Sequence, residues 1–250
     1  MVIKMKKRLT LGLLIIFITI LSGCNFNITF DSKINTETLN HISTEIMNAN
    51  VKISTSTYKM QFFQKVEGPY FAVGSGVIIK EEKNDSDYYY YVLTNAHVID
   101  LDDEYQHEFT IEDIYNNTIK AELIKKHLDY DLAVLKFRSD TKLTVIELSD
   151  KNPKVRDTVF SVGSPSGKQN IITAGKVVAY SKINHVSYEI IVHEAYIYKG
   201  SSGSMLINDH YELVGINTWG FVAEDETIDE DFVRGGATPI IKILEFLEFE

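Results

Sequence analysis

Three short segments concentrate the residue types that can do chemistry: Leu93-Thr94-Asn95-Ala96-His97-Val98, Asp129-Tyr130-Asp131-Leu132-Ala133-Val134-Leu135 and Gly200-Ser201-Ser202-Gly203-Ser204. In chain order they supply a histidine, two candidate aspartates and a serine with glycines nearby. A serine hydroxyl is a poor nucleophile until an imidazole takes its proton, and the imidazole needs a carboxylate to hold its tautomer and stabilise its cation. Glycines close to the serine let the backbone bend so that N–H groups converge on one point, as stabilising an oxyanion requires. The order Ser, Asp, His fails here, because His210 is the only histidine after Ser202 and the second glycine of G-x-S-x-G is missing. His41, His107, His127, His185, His193 and His210 show neither HExxH nor another ligand spacing and read as surface or loop residues. No metal and no cofactor is expected.

The elements that must position these groups are short. From Thr57 onward, runs rich in Val, Ile, Tyr and Phe alternate with Gly, Asn, Asp and Ser clusters. Candidate strands cover residues 58–65, 71–80, 88–94, 118–126, 132–137, 158–162, 171–180, 189–197, 205–207, 213–218 and 232–238. Short strands at this spacing indicate an antiparallel sandwich or barrel. The tyrosines Tyr88, Tyr89, Tyr90 and Tyr91 alternate between sheet faces and read as packing. A polar stretch over 139–156, with Pro153, splits the strands into two groups. At the end, Ile240, Ile243, Leu244 and Leu247 share one face, with Pro239 at the first turn of a closing helix over 239–248.

The 250 residues are 44% apolar and 24% charged, with 4 Pro, 14 Gly and 1 Cys, which excludes collagen-like, disordered and disulfide-scaffold classes. The formal charge is -10; four of the 25 basic residues precede the first apolar run, so beyond residue 23 the count is 21 basic against 35 acidic, or -14. Such a surface repels phosphate backbones, which excludes nucleic acid as a partner and disfavours attraction to anionic membranes. Lys4, Lys6, Lys7 and Arg8 lead into a 13-residue apolar run over 9–21, followed by Ser22, Gly23 and Cys24. As a helix that run would reach about 20 Å, short of a hydrocarbon core of roughly 30 Å, so it fits a signal peptide over 1–23 better than a membrane span. Leu21-Ser22-Gly23-Cys24 resembles the lipobox of bacterial lipoproteins, which implies lipidation at Cys24 and placement on the extracytoplasmic face of a bacterial cell membrane. Residues 24–56 read as a polar tether and a short amphipathic helix carrying Leu39, Ile42, Ile46 and Ala49, which either docks on the main domain or spaces it from the membrane.

The His, Asp, Ser order is that of chymotrypsin-like enzymes. Thr94-Asn95-Ala96-His97-Val98, Asp131-Leu132-Ala133-Val134-Leu135-Lys136 and Gly200-Ser201-Ser202-Gly203 resemble the catalytic segments of HtrA/DegP-type trypsin-like serine proteases. Gly74-Ser75-Gly76-Val77-Ile78, Val162-Gly163-Ser164-Pro165-Ser166-Gly167 and Val214-Gly215-Ile216-Asn217-Thr218 match as well. The resemblance implies an all-β chymotrypsin-like fold over 57–250: two six-stranded antiparallel β-barrels, at about 57–138 and 155–238, and the closing helix. It implies His97 as general base, Asp131 as its orienting carboxylate, Ser202 as nucleophile, and the Gly200 and Ser202 N–H groups as oxyanion hole. Asp129 is the rival carboxylate, but the family pattern puts the acid directly before the Leu-Ala-Val strand. Protein or peptide substrates follow from the same resemblance.

Two departures qualify it. The loop reads Gly200-Ser201-Ser202-Gly203-Ser204 where the family usually has Gly-Asn-Ser-Gly-Gly, and with Glu212-Leu213-Val214-Gly215-Ile216 this is similar to the staphylococcal glutamyl endopeptidases. Asn217 and Ile197 stand where that group holds glutamate with a histidine and a threonine, so glutamate specificity is not expected. Tyr196 stands where a basic-specific pocket carries its acid, and Tyr196, Ile197 and Asn217 together imply a substrate pocket for small or medium apolar side chains. The second departure is length: the sequence ends directly after the closing helix, so no PDZ domain is expected to follow. The acidic run over 224–231 reads as a solvated loop, as an element favouring cationic peptides, or as a weak calcium site without an EF-hand pattern. The alternative function is a catalytically silent, protease-like lipoprotein that binds a protein partner.

Overall fold

A computed structural model describes residues 29–30, 34–84, 87–164, 171–184, 186–221 and 233–248. The expected signal segment, Cys24, His185 and the acidic run over 224–231 lie outside the described residues.

A two-residue strand β1 (Thr29–Phe30), helix α1 (Thr36–Thr44) and a 3₁₀ turn (Ile46–Ala49) precede the first barrel. That barrel is built from β2 (Asn50–Gln61), β3 (Gln64–Asn84), β4 (Asp87–Thr94), β5 (Gln106–Glu112), β6 (Thr118–His127) and β7 (Leu132–Ser139), closed in the order β2-β3-β4-β7-β6-β5. Helix α2 (Ala96–Ile99) interrupts it after β4. The second barrel uses β8 (Thr158–Gly163), β9 (Ile171–Lys182), β10 (Glu189–Ile197), β11 (Met205–Ile207), β12 (Leu213–Phe221) and β13 (Val233–Pro239). Its antiparallel pairings run β8-β9-β10-β13-β12-β11 and return to β8, while β1 adds in parallel to β9 through Thr29↔Ile171. Helix α3 (Ile240–Glu248) closes the chain.

The two-residue period of a strand explains where the core sits. In β4, Tyr90 and Val92 point into the first barrel while Leu93 points out; in β7, Ala133, Leu135 and Phe137 point in while Leu132 and Val134 point out. The outward set meets Phe160, Val162, Met205 and Ile216 of the second barrel, with Ile240, Ile243 and Phe246 of α3. Burial on both faces is why β7 reads as a near-continuous apolar run. The largest core is therefore the seam between the barrels. Helix α3 is also tied to the first barrel through polar groups, with Lys125 Nζ donating to the carbonyls of Phe246 (2.9 Å) and Leu247 (3.0 Å) at its C-terminus.

The structure corrects the sequence expectation at four places. The first barrel begins at Asn50 rather than near 57, because the polar alternation after Val51 and Ile53 buries Thr55 and Thr57 on the same face. The first hairpin turns at Phe62 and Phe63, with Gln61 paired to Gln64, although neither residue is a turn former. The strand β5 was not expected, since only Phe109 and Ile111 mark its inner face among His and Glu residues. Pro239 ends β13, and α3 starts one residue later. The question left open for the N-terminal helix is resolved by burial: Ile42, Met47 and Ala49 are fully buried in the seam, so α1 and the turn after it dock on the main domain.

Ile42→Ala should therefore behave as a core truncation and cost about 2–5 kcal/mol, read as a lower urea midpoint. A helix that merely spaced the domain would lose less than about 0.5 kcal/mol.

Candidate active site

His97 is the one residue of α2 that faces out, because Ala96, Val98 and Ile99 are all buried against the first barrel. Its imidazole is about half exposed, and Asp131 grips it twice. One carboxylate oxygen accepts the His97 backbone N–H at 2.9 Å and the other lies 2.7 Å from Nδ1. An ionised carboxylate only accepts, so this contact puts the proton on Nδ1 and leaves the Nε2 lone pair free. Asp131 closes a turn through its N–H to the Leu128 carbonyl (3.0 Å) and sits at φ 51°, a left-handed conformation that Asp tolerates better than most residues. Asp129 is exposed and makes no contact with His97 among the described residues.

Two side chains hold this aspartate's turn. Asn95 Nδ2 donates to the Asp131 carbonyl and to Thr218 Oγ1 in the second barrel, both at 2.9 Å. The Tyr188 hydroxyl, pushed up to about 12 by burial, donates to the carbonyl of Tyr130 at 3.1 Å. Neither role was foreseen from the sequence. Asn95 had a signal, as the residue between the strand-ending Thr94 and the histidine helix; Tyr188 had none.

Ser202 sits between two consecutive turns. Ser201 N–H donates to the Tyr198 carbonyl (2.9 Å) with Gly200 at φ 90°, and Ser204 N–H donates to the Ser201 carbonyl (2.8 Å) with Gly203 at φ 84°. Both glycines occupy the left-handed position that such turns require. A Cβ on Gly203 would also lie 2.1 Å from the Ser75 carbonyl oxygen, so the second turn is closed to any side chain. The Gly200 and Ser202 N–H groups have no acceptor among the described residues. Ser75 clamps the loop from the first barrel: its N–H donates to the Ser202 carbonyl (2.8 Å) and its hydroxyl to the Gly200 carbonyl (3.2 Å), while accepting the Ser164 N–H (2.8 Å). Gly74 is the common neighbour of both halves of the site, with Val98 on one side and the Ser202 carbonyl on the other. Among the described residues, Ser202 Oγ and His97 share no direct hydrogen bond.

The expected pocket residues separate. Tyr196 is partly exposed and its carbonyl accepts Thr173 Oγ1 at 2.7 Å, whereas Ile197 is buried. Asn217 is fully buried inside the second barrel, where its Nδ2 donates to Ser161 Oγ and Ser204 Oγ, both at 2.9 Å, and its Oδ1 accepts His193 Nε2 at 2.8 Å. Its side chain is thus occupied within the barrel, beneath the serine loop. His193 overturns its reading as a surface residue. It lies fully buried on β10, its ring packed where Gly235 leaves room, and burial pulls its pKa down to about 4. Its Nδ1 is buried and has no hydrogen-bond partner among the described residues.

A histidine kept neutral by burial makes stability pH-dependent in a defined direction. Its folded pKa is depressed below the ordinary value of 6.5, so its contribution is fully present above 6.5 and is lost as pH falls toward about 4. The loss should total about 3 kcal/mol, visible as falling urea midpoints across that window. His193→Gln, which keeps a donor for Asn217 and cannot titrate, should flatten this part of the profile; an unchanged profile would assign the slope to other groups.

Comparison with known proteins places this geometry. The family model of the trypsin-like peptidase domain matches residues 74–216. The periplasmic serine endoprotease DegP of Escherichia coli K12 is 32% identical over 153 residues, which is 60% of this chain and 30% of DegP. The serine endoprotease from Yersinia pestis superposes with a TM-score of 0.61 at 26% identity, covering 86% of this chain and 66% of that one. The HtrA-type protease AlgW with decapeptide gives 0.65 at 23%, covering 84% and 66%, a likeness of fold. The chain spans about a third of the length of its curated relative. With two antiparallel barrels, a histidine–aspartate pair on the first and a glycine-turned serine loop on the second, the chain belongs to the trypsin-like peptidase domain family.

Proposed function

We propose that this chain is a serine endopeptidase that cleaves peptide bonds through an acyl-enzyme. The observation that carries the reading is the double grip of Asp131 on His97, which leaves Nε2 available as a base. In the reaction His97 Nε2 takes the Ser202 Oγ proton as the oxygen attacks the scissile carbonyl carbon. The carbonyl electrons move to its oxygen, and the Gly200 and Ser202 N–H groups receive that charge. The imidazolium then gives its proton to the leaving amine as the C–N bond breaks. Water, deprotonated by His97, hydrolyses the ester and returns Ser202. Asp131 stays ionised throughout and stabilises the imidazolium.

The substrate class is protein or peptide, with a small or medium apolar side chain before the cleaved bond. Tyr196 and Ile197 offer no carboxylate for a basic side chain, and the Asn217 amide is engaged by His193, Ser161 and Ser204. The N-terminal pattern supports lipidation at Cys24 and attachment to the extracytoplasmic face of a bacterial membrane, in keeping with the periplasmic location in the name of DegP. No helix among the described residues is long and apolar enough to cross a membrane. The lack of a direct hydrogen bond between Ser202 and His97 among the described residues is the one observation that favours a catalytically silent binding protein, but catalytic hydrogen bonds commonly tighten only when substrate binds.

A fluorophosphonate probe separates these readings, since it reacts with an activated serine. Ser202→Ala should abolish labelling and casein hydrolysis, a loss on the order of 10⁶ in turnover, with little change in the thermal transition. Labelling that persists in Ser202→Ala but vanishes in Ser201→Ala would move the nucleophile by one residue. For the anchor, Cys24→Ala should leave unprocessed or mislocalised protein outside the detergent-extracted membrane fraction, because each buried CH₂ of a lipid chain contributes about 0.8 kcal/mol.

A further inference from the structure

The hairpin joining β2 and β3 runs on past the first barrel. The last pair between β2 and β5 is Tyr58↔Gln106, yet β2 continues to Gln61 and returns through Gln64, so the ribbon stands about 10 Å beyond its barrel neighbours. Its base is fixed. Thr57 Oγ1 bonds both the N–H and the carbonyl of Tyr70, Tyr70 meets Tyr105 edge-on, and Lys59 Nζ lies 3.9 Å over the Tyr105 ring.

The tip has the opposite of turn chemistry. A two-residue hairpin turn with φ > 0 at both central positions calls for Asn or Gly, and here the residues are Phe62 and Phe63, at φ 47° and 67°. Both are essentially fully exposed, at 97% and 101%. Met60 and Val66 behind them are also exposed. Behind the two phenylalanines come the uncharged pair Gln61↔Gln64, then Met60↔Lys65 and Lys59↔Val66, so the only positive charges of the stretch from 59 to 67 enter behind the tip, each beside an apolar partner. A bilayer has the same order with depth, from hydrocarbon through carbonyl and headgroup to phosphate, and aromatic residues and the long stems of lysines suit that boundary.

We infer that the Phe62–Phe63 tip inserts into the interface of the membrane that carries the anchor, as a second contact fixing how the protease domain is presented. This rests on the proposed lipid at Cys24. Only Asn25, Phe26, Asn27 and Ile28 separate that cysteine from β1, so the chain can span at most about 18 Å before it is part of the fold. Insertion is driven by apolar area, since the chain as a whole is acidic and Lys59 and Lys65 already pair with Glu104 and Glu108.

The test uses the full chain in phosphatidylcholine vesicles containing a bromine-tailed analogue, with Phe62→Trp as reporter beside the native Trp219. The added tryptophan should be quenched by the brominated tails and shielded from aqueous acrylamide, with little change on adding salt. Lys83→Trp, at the other end of β3, should show the reverse. Mass measurement of the N-terminal peptide reports the lipid separately. With the lipid present, a residue 62 probe that stays open to acrylamide and blind to bromine overturns the insertion and leaves the anchor standing. With the lipid absent, the anchor reading fails, and the tip is judged by vesicle binding of the chain alone: at least tenfold weaker binding in the Phe62→Ser, Phe63→Ser double variant supports insertion, and equal or undetectable binding overturns it. A double variant that instead splits an oligomer in the absence of vesicles assigns the tip to a second copy of this chain and overturns the proposal. Fluorophosphonate labelling of the double variant should match the parent, which shows that it is folded.

Discussion

The hydrogen bond from the Ser75 N–H to the Ser202 carbonyl, at 2.8 Å, is the joint on which the site depends, because it crosses from one barrel to the other at the serine itself. His97 and Asp131 belong to the first barrel and Ser202 to the second. The three proposed catalytic groups thus lie on two separately closed barrels, so their spacing is set by whatever locks those barrels together. The seam supplies that lock in bulk, through Leu93, Leu132, Val134, Phe160, Met205 and Ile216, and apolar packing resists compression without fixing rotation. Direction comes from the polar contacts laid across it: Ser75 to Ser202 and Gly200, Asn95 to Thr218, and Asn50 Nδ2 to Ser164 Oγ at 3.0 Å. Each ends on a segment that carries or borders a proposed catalytic group.

The second barrel keeps a hydrogen-bonded polar cluster where the first has a largely apolar interior. Ser161, His193, Ser204 and Asn217 are all buried there, and Asn217 connects them while its own backbone brackets the serine loop, donating to the Ser204 carbonyl and accepting from the Gly203 N–H, both at 2.9 Å. A satisfied buried network specifies one arrangement more sharply than hydrophobic packing does, since any slip leaves polar atoms unpaired in a low-dielectric interior. Above this network lies a loop with two left-handed glycines, and that sharpness holds the loop's backbone in one shape. The cost is a neutral histidine that acid would charge, and the Nδ1 atom of His193 is left with little support.

What the sequence made legible divides along the same physical line. The candidate catalytic segments stood out because each carries chemistry that few other patterns explain, and β4, β7, β10 and β12 were readable because they are runs rich in Val, Ile, Leu and Tyr, buried on one face or on both. The parts that were missed are those whose burial is decided by tertiary partners. Thr55 and Thr57 look like a tether until β3 and β5 cover them, and β5 hides its inner Phe109 and Ile111 among charged residues. His193 carries no local mark of burial, since its place depends on Gly235 one strand away leaving room for the ring. The hairpin turn was missed for another reason: Phe62 and Phe63 contradict the turn rule, and a sequence rule cannot anticipate a residue kept there against local preference.

Tracing the contacts outward from the reactive groups separates what is rigid from what can adjust. His97 is fixed by its own helix and by both oxygens of Asp131, and Asp131 by its turn, by Asn95 and, through Tyr130, by Tyr188. The serine backbone is fixed by Ser75 and Asn217. The Ser202 hydroxyl alone has no partner among the described residues, and rotation about a single Cα–Cβ bond moves it. If Ser202 is the nucleophile, turning its hydroxyl about that bond costs far less than repacking a seam. The Gly200 and Ser202 amides have no acceptor among the described residues. The scaffold concentrates its order in the backbone of the serine loop and in the His97–Asp131 pair, and leaves the Ser202 hydroxyl a torsion to turn through.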